Sequence, residues 1–404
     1  MILLSLAIII ILGIIFARIF MKFRLPGLLG FLILGMIIGP YGLDLISPLL
    51  LELSHPIRLF ALIVILLRAG LGIRIETIKK IGAKAFTLSC IPGLIEGFVI
   101  LLVTTQLLDF TWQQGGILGF IVAAVSPAVV VPLMLRFQEE KIGTAKDIPT
   151  MILASASIED VFIITVFSVF LTFETAGSVD FTQSLINVPI AIILGIVLGI
   201  LLGWLLHKLF QRFEFRSTVK LLLVLAVAFV AYELEDILAD VVSIASLLSV
   251  MFIGLTLIEL DVKQGTQLKK GFKELWIFAE IVLFVFVGMI VDTSLALEAG
   301  FIGLIILICG LAARTVGVLL CLVGSNLVIK ERLFVVFAFI PKATVQAAIG
   351  AIPLALGVPG GELILAISVL AILITAPLGS IGIQVGGRKL LPKPEDLASA
   401  PSVS

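Results

Sequence analysis

Two adjacent acidic residues, Glu159 and Asp160, lie in the sequence ASASIEDVF, inside an otherwise apolar stretch that covers residues 148–173. A stretch of this length is sufficient to cross the hydrocarbon core of a bilayer as a helix. Carboxylates inside such a segment are costly, and they usually belong to pathways for ions or protons. The chemistry open to this pair is therefore the binding and release of protons or small cations.

Three further ionisable residues, Glu96, Arg314 and Lys342, occupy the middle of other apolar stretches. At 1.5 Å per helical residue, these three and Glu159 lie roughly 15–18 Å from the nearest charged loop. Two basic and three acidic groups therefore gather at one depth. Salt bridges that only hold helices together would leave one carboxylate without a partner, which favours an ion or proton site over a purely structural cluster.

The composition predicts a protein that is embedded in a membrane. Of its 404 residues, 61% are hydrophobic and 13% are charged, whereas soluble domains carry roughly 25% charged residues. The three cysteines show no metal-ligand spacing, and a net charge of zero argues against nucleic-acid binding. We predict an all-α polytopic protein of thirteen transmembrane helices near residues 2–20, 26–41, 57–73, 85–107, 116–136, 148–173, 183–208, 218–234, 241–259, 274–294, 299–326, 332–357 and 362–385.

The distribution of basic residues tests this topology. Of the 27 Lys and Arg residues, 23 fall in the segments that follow odd-numbered spans, and Arg58 is the one basic residue of the even-numbered loops. The positive-inside rule then predicts cytoplasmic odd loops, an external N-terminus and a cytoplasmic C-terminus with a short tail at 391–404.

Prolines interrupt two of the spans near mid-membrane. Pro127 and Pro132 lie in AVSPAVVVPLM of span 5, and Pro341 lies in AFIPKATVQAAIG of span 12. Proline removes a backbone donor and clashes with the preceding turn, so both helices are expected to break. Spans 4–6 and 11–13 thus correspond as oppositely directed halves of an inverted repeat. Paired interruptions of this kind point to the binding site of a secondary transporter.

These segments resemble a known family. GGILGFIVAAVSPAVVVPLML, IPTMILASASIEDVFIIT and FIPKATVQAAIGAIPLALG are similar to the NHA branch of the monovalent cation/proton antiporter superfamily, as are LLRAGLGI, LSCIPGLIEG and AILITAPLGS. The resemblance implies one transmembrane domain over 1–390 that contains two crossed discontinuous helices. It also implies a transport core of helices at about 85–173 and 299–385, a dimerisation scaffold at about 1–73 and 183–294, a homodimer, and elevator-type exchange of Na⁺ or Li⁺ for protons.

The resemblance also implies roles for single residues. Asp160 matches the aspartate that binds the metal cation and, alternately, the proton. Glu159 matches an acidic neighbour that is usually Asp, so its longer side chain is the departure from the family pattern. Lys342 matches a basic partner of that neighbour, and Arg314 matches an arginine paired with a glutamate, here Glu96.

From these roles we expect a division of labour between the two adjacent carboxylates. Glu159, paired with Lys342, should stay ionised, while unpaired Asp160 exchanges protons and cations. The hydroxyl groups of Ser126, Ser157 and Thr344 should assist Asp160.

Alternative functions compete with exchange. A sodium-coupled symporter of a small organic anion would use a similar inverted repeat but would need a roomier crossing than the aliphatic VVVP suggests. A potassium efflux system with a nucleotide-binding domain would need a longer tail. An intramembrane enzyme would need a Ser–His, paired-Asp or metal constellation, and His55 and His207 both lie at span ends. We therefore expect a transporter, not an enzyme, without a cofactor, in a prokaryotic plasma membrane.

Overall fold

The computed structural model describes residues 2–23, 25–72, 75–175, 181–238, 244–291 and 300–392. All regular elements within these residues are helices, which confirms the all-α prediction. They are α1 (Ile2–Lys22), α2 (Gly27–Ile38), α3 (Pro48–Glu52), α4 (Ser54–Gly72), α5 (Ile75–Leu107), α6 (Trp112–Ala123), α7 (Pro127–Glu139), a 3₁₀ turn (Thr144–Lys146), α8 (Ile148–Thr175), α9 (Phe181–Arg212), α10 (Ser217–Leu238), α11 (Ser246–Leu260), α12 (Val262–Ile290), α13 (Gly300–Cys321), α14 (Ile329–Ala338), α15 (Thr344–Ile349), α16 (Ile352–Ala355) and α17 (Gly361–Leu390).

The helices fit a protein that crosses the membrane many times. In the described part of the chain, nine helical segments are long and apolar enough to span a bilayer, with α6 and α7 together forming one of them. The remaining predicted spans coincide with the shorter helices α2 and α11, with α12, and with the interrupted series α14–α16. The total of thirteen spans therefore stays a prediction.

Both predicted helix interruptions are present, but the prolines do not all act as expected. Residues 124–126 separate α6 from α7, so Pro127 is the first residue of the second half, where a missing N–H costs nothing. The second interruption covers residues 339–343 and contains Pro341. A break at Pro132 was the wrong prediction, because α7 continues through this residue to Glu139. One proline removes a single backbone hydrogen bond, which this helix accommodates.

The helices pack as two groups. The first group contains α5–α8 and α13–α17, in which α5 lies along α13 and also packs on α6 and α8. The second contains α1–α4 and α9–α12, in which α11 packs on α4 and α9, and α12 on α2 and α4. Fewer contacts, chiefly those of α15 with α4 and α12 and of α8 with α9, join the groups. Every ionisable residue singled out at mid-membrane depth belongs to the first group.

Helix α6 is positioned by a capping box at its start and by close packing on α5 along its length. At its start, the Thr111 hydroxyl accepts a hydrogen bond from the backbone N–H of Gln114 at 3.2 Å. In return, the backbone N–H of Thr111 donates to the side-chain oxygen of Gln114 at 3.1 Å. Along its length it lies so close to α5 that a Cβ on Gly119 would meet the Gly97 carbonyl oxygen at 2.3 Å. This close approach places α6 directly beside the part of α5 that carries Glu96, one residue before Gly97.

Candidate functional site at the helix crossing

The two helix interruptions touch each other inside the first group of helices. The backbone N–H of Ser126 donates to the Pro341 carbonyl oxygen at 2.8 Å. The hydroxyl oxygens of Ser126 and Thr344 lie 3.4 Å apart, and both side chains are buried. Irregular backbone at membrane depth persists where it is enclosed by protein or lines a cavity. We call this contact between residues 124–126 and residues 339–343 the crossing. It meets the condition for a binding site that is built from unwound helix ends.

Basic side chains cover the carbonyl end of α6. The Ala123 carbonyl oxygen accepts hydrogen bonds from a terminal nitrogen of Arg314 and, at 3.3 Å, from Nζ of Lys342. The last carbonyl groups of a helix have no partner within it and carry partial negative charge. The two cations therefore stabilise the end of the broken helix as well as the carboxylates beside it.

The buried charges form one connected network. Oε2 of Glu96 contacts Nε of Arg314 and lies 2.7 Å from Nζ of Lys342. A terminal nitrogen of Arg314 lies 2.8 Å from Oε1 of Glu159. None of these four side chains is more than 2% exposed. Such a network holds α5, α8, α13 and the second interruption together, because separating any pair would leave a buried charge without compensation.

The network confirms one predicted ion pair and corrects another. Arg314 pairs with Glu96, as expected. The predicted pair of Glu159 with Lys342 is wrong, since Lys342 bonds to Glu96 and Glu159 contacts Arg314. The reason is the side from which Glu159 approaches: it packs against α5 at Gly93, where an added Cβ would lie 3.0 Å from its Oε1.

Asp160 stands apart from this network. Its side chain is 6% exposed, and its Oδ1 accepts no hydrogen bond from any described residue. Neither does it join an ion pair within the described part of the chain. Successive helical residues point about 100° apart, so the two neighbouring carboxylates face different surroundings. Glu96, Glu159, Arg314 and Lys342 balance one another, and Asp160 is the surplus negative charge.

One residue of the crossing went unnoticed in the sequence. The side-chain nitrogen of Gln346, in α15, donates to the carbonyl oxygens of Ile121 and Ala124 at 2.8 Å each and to that of Val122 at 3.3 Å. Gln346 is 1% exposed. Its only sequence signal was a polar side chain five residues after the proline of an interrupted span. Three hydroxyl residues were predicted to assist Asp160. Ser126 and Thr344 lie at the crossing, and the side chain of Ser157 is not among those that the structure describes.

A cavity of about 310 Å³ lies between the two groups of helices. Its walls include Ser168 and Leu171 of α8 on one side, and Arg58 and Glu233 of α4 and α10 on the other. Leu171 follows Asp160 by eleven residues, or about three helical turns, on nearly the same face of α8. The cavity therefore marks the place where the Asp160-bearing group adjoins its neighbour without close packing.

Two discontinuous helices that cross beside buried, opposing charges define a polytopic ion transporter of the secondary type. Comparison with known proteins makes this class specific. The family of transmembrane sodium/hydrogen exchangers matches residues 6–385, and the chain belongs to this family. The predicted resemblance to the monovalent cation/proton antiporter superfamily is thus confirmed.

Curated relatives match along most of the chain. Sodium/hydrogen exchanger 9B2 of Homo sapiens is 33% identical over 392 residues, which cover 92% of this chain and 71% of the relative. The 9B2 protein of Bison bison bison is 36% identical over 398 residues, with the same coverage of both chains. Sodium/hydrogen exchanger 9B1 of Homo sapiens is 31% identical over 399 residues and is covered to 74%.

A solved structure matches the fold. The sodium proton antiporter MjNhaP1 from Methanocaldococcus jannaschii, determined at pH 8, superposes with a TM-score of 0.79 at 23% sequence identity. The match covers 95% of this chain and 97% of that one. The arrangement of helices is therefore that of an antiporter fold.

Proposed function

We propose that the protein exchanges Na⁺ or Li⁺ for protons across the membrane, with Asp160 as the shared binding residue. Membership of the sodium/hydrogen exchanger family supports the reaction. The observation that carries the assignment to Asp160 is its buried carboxyl group, which has an unpartnered oxygen beside a network whose other charges are all paired.

Charge balance explains how the exchange is coupled. Two buried cations compensate Glu96 and Glu159, so ionised Asp160 leaves the site with one net negative charge. Carrying an uncompensated charge through the membrane interior is expensive. Either a proton or one monovalent cation on Asp160 neutralises the site and lets it move. Because both bind the same carboxylate, loading one requires release of the other.

The crossing supplies further oxygen atoms to a cation on Asp160. The hydroxyls of Ser126 and Thr344 are buried and adjacent, and we propose them, with Ser157, as ligands that replace water around the ion. Glu159 then acts through Arg314 as part of the charge-compensating network, together with Glu96 and Lys342. This assignment replaces the direct contact with Lys342 that the family resemblance had implied.

We further propose that transport is an elevator-type movement of α5–α8 and α13–α17 against α1–α4 and α9–α12. The sparse contacts between these groups and the cavity between them support this division. The second group would form a homodimer in the plasma membrane, with the N-terminus outside and the C-terminus in the cytoplasm. A sodium-coupled anion symporter is the less favoured reading, because the family and relatives found are exchangers.

Exchange can be tested in everted membrane vesicles with a fluorescent reporter of the proton gradient. Addition of Na⁺ or Li⁺ should dissipate the gradient for the wild-type protein, and Asp160→Asn should abolish this response while the purified protein keeps its melting temperature within a few degrees. Glu139→Gln, a change at an exposed carboxylate of α7, is the control and should behave like the wild type. Cation-driven proton flux in a folded Asp160→Asn protein would disprove the assignment.

A further inference from the structure

Gln346 presents a buried amide whose orientation is determined by its surroundings. Its nitrogen faces the carbonyl oxygens of Ile121, Val122 and Ala124 at 2.8–3.3 Å. Reversing the amide would place its oxygen against three other oxygens, none of which can donate a hydrogen bond. The –NH₂ group must therefore occupy this position, and the other end of the amide must be the oxygen.

That oxygen has no partner in the described part of the protein. Oε1 of Gln346 is fully buried and accepts no hydrogen bond from it. A buried carbonyl group that is left unsatisfied is costly, and such groups in native proteins call for a specific explanation. Because the amide nitrogen is bonded to Ala124, within the first interruption, the oxygen of the same amide also lies at the crossing.

We propose that Oε1 of Gln346 is an oxygen ligand of the transported cation at the crossing, in addition to the carboxylate of Asp160. Amide carbonyl oxygens are ordinary ligands of hard cations, and carbonyl dipoles replace the hydration shell of alkali ions inside membrane proteins. A neutral ligand suits this site, because the charge balance leaves room for one negative charge only, that of Asp160. This inference rests on the proposed cation/proton exchange and adds a residue that contributes to affinity and to selection between Na⁺ and Li⁺.

The alternative explanation is that Gln346 acts only as a donor that holds the end of α6 in place. Two substitutions separate the roles. Gln346→Met has a similar length but neither donor nor oxygen, whereas Gln346→Glu loses the donor and keeps an oxygen. A donor-only role predicts that both variants suffer alike, whereas a ligand role predicts that they differ.

The experiment measures KM and Vmax for Na⁺ and for Li⁺ in vesicles, with folding checked by melting temperature in detergent. Gln346→Met should raise the KM for Na⁺ about tenfold or more, as expected for loss of one partner of a charged group, and should change the ratio of the Na⁺ and Li⁺ KM values. Gln346→Glu keeps an oxygen toward the ion and should bind Na⁺ at least as tightly as the wild type, but one monovalent cation does not neutralise its second negative charge, so its Vmax should fall.

Gln264→Met is a matched control. Gln264 is also a buried glutamine with an unpartnered Oε1 within the described residues, but it lies in the first turn of α12, in the other group of helices. The KM values of the Gln264→Met protein for Na⁺ and Li⁺ should equal those of the wild type.

Equal KM values and an unchanged Na⁺/Li⁺ ratio in Gln346→Met, or an equal loss in Gln346→Met and Gln346→Glu, would overturn the proposal. If Gln346→Met does not fold, Gln346→Glu decides alone, and a KM above that of the wild type would count against a ligand role. Absence of cation-driven flux in the wild type would instead refute the exchange function itself, so the two failures are distinguishable.

Discussion

Nζ of Lys342 lies 2.7 Å from Oε2 of Glu96, an oxygen that also contacts Arg314. Glu96 therefore compensates two buried cations at once, whereas the ion pair that Glu159 forms within the described part of the chain is with Arg314. Because of this asymmetry, Glu96 is the carboxylate on which the charge balance of the network depends most. Asp160 is not needed to compensate either cation of the network.

The first prediction concerns the pair of Glu96 and Lys342. Glu96→Gln leaves two cations facing one paired carboxylate and should destabilise the protein by about 3–5 kcal/mol, as for other broken buried pairs. The double variant Glu96→Gln/Lys342→Met restores a balance of one cation and one carboxylate and should recover part of this loss. Melting temperatures in detergent measure both effects.

Exposed pairs provide the comparison. Arg136 of α7 and Glu140, the residue that follows this helix, form an ion pair with side chains 54% and 33% exposed, and Glu140→Gln should cost less than about 1 kcal/mol. A double variant that is no more stable than Glu96→Gln alone would argue against direct coupling of Glu96 with Lys342.

The second prediction separates Glu159 from Asp160. Glu159→Gln removes a carboxylate that balances Arg314 but keeps Asp160, so the site loaded with Na⁺ or a proton carries a net positive charge and the maximal transport rate should fall. The site then has no net negative charge when Asp160 is ionised, and the KM for Na⁺ should rise on the order of tenfold, which corresponds to about 1.4 kcal/mol. Kinetics in vesicles test this. A folded Glu159→Gln protein with the KM and maximal rate of the wild type would contradict a role of Glu159 in charge compensation.

The third prediction is a dependence of cation affinity on pH. If a proton and Na⁺ compete for Asp160, the apparent KM for Na⁺ should rise as the pH falls, by about tenfold per pH unit once Asp160 is mostly protonated. The maximal rate at saturating Na⁺ should change less than the KM. An apparent KM that stays constant over two pH units on the acidic side would contradict competition at one carboxylate.

The fourth prediction tests the close packing of the second interruption. A Cβ at Gly379 of α17 would lie 2.3 Å from Cγ of Pro341 and 2.9 Å from its backbone nitrogen. Gly379→Ala should displace the interruption, lower the maximal transport rate and destabilise the protein by about 1–3 kcal/mol.

Gly386→Ala on the same helix is the control for this change. An added Cβ there would meet its nearest neighbour, the Phe337 ring, at 3.4 Å, and alanine is the better helix former. This variant should be as active and as stable as the wild type. Equal effects of the two substitutions would show that contact with Pro341 is not the cause.

Sequence alone was sufficient for the class of protein and for the two interrupted helices, and it singled out the charged residues that meet in one buried network. Bilayer thickness sets the length of a span, and Pro127 and Pro341 mark the two interruptions, and both signals act through local sequence. The pairing of Arg314 with Glu96 also followed, although through family resemblance and not from spacing.

Tertiary structure decided the partners of the remaining charges. Depth places Glu96, Glu159 and Lys342 at one level, but the rotation of each helix about its axis determines which of them meet, and that rotation depends on packing such as the approach of α8 to Gly93. The same holds for Gln346, whose role emerges only where the carbonyl end of α6 is brought against α15. Contacts between residues more than two hundred positions apart are a property of the assembled helices, because no local pattern encodes the direction in which a buried side chain finds its partner.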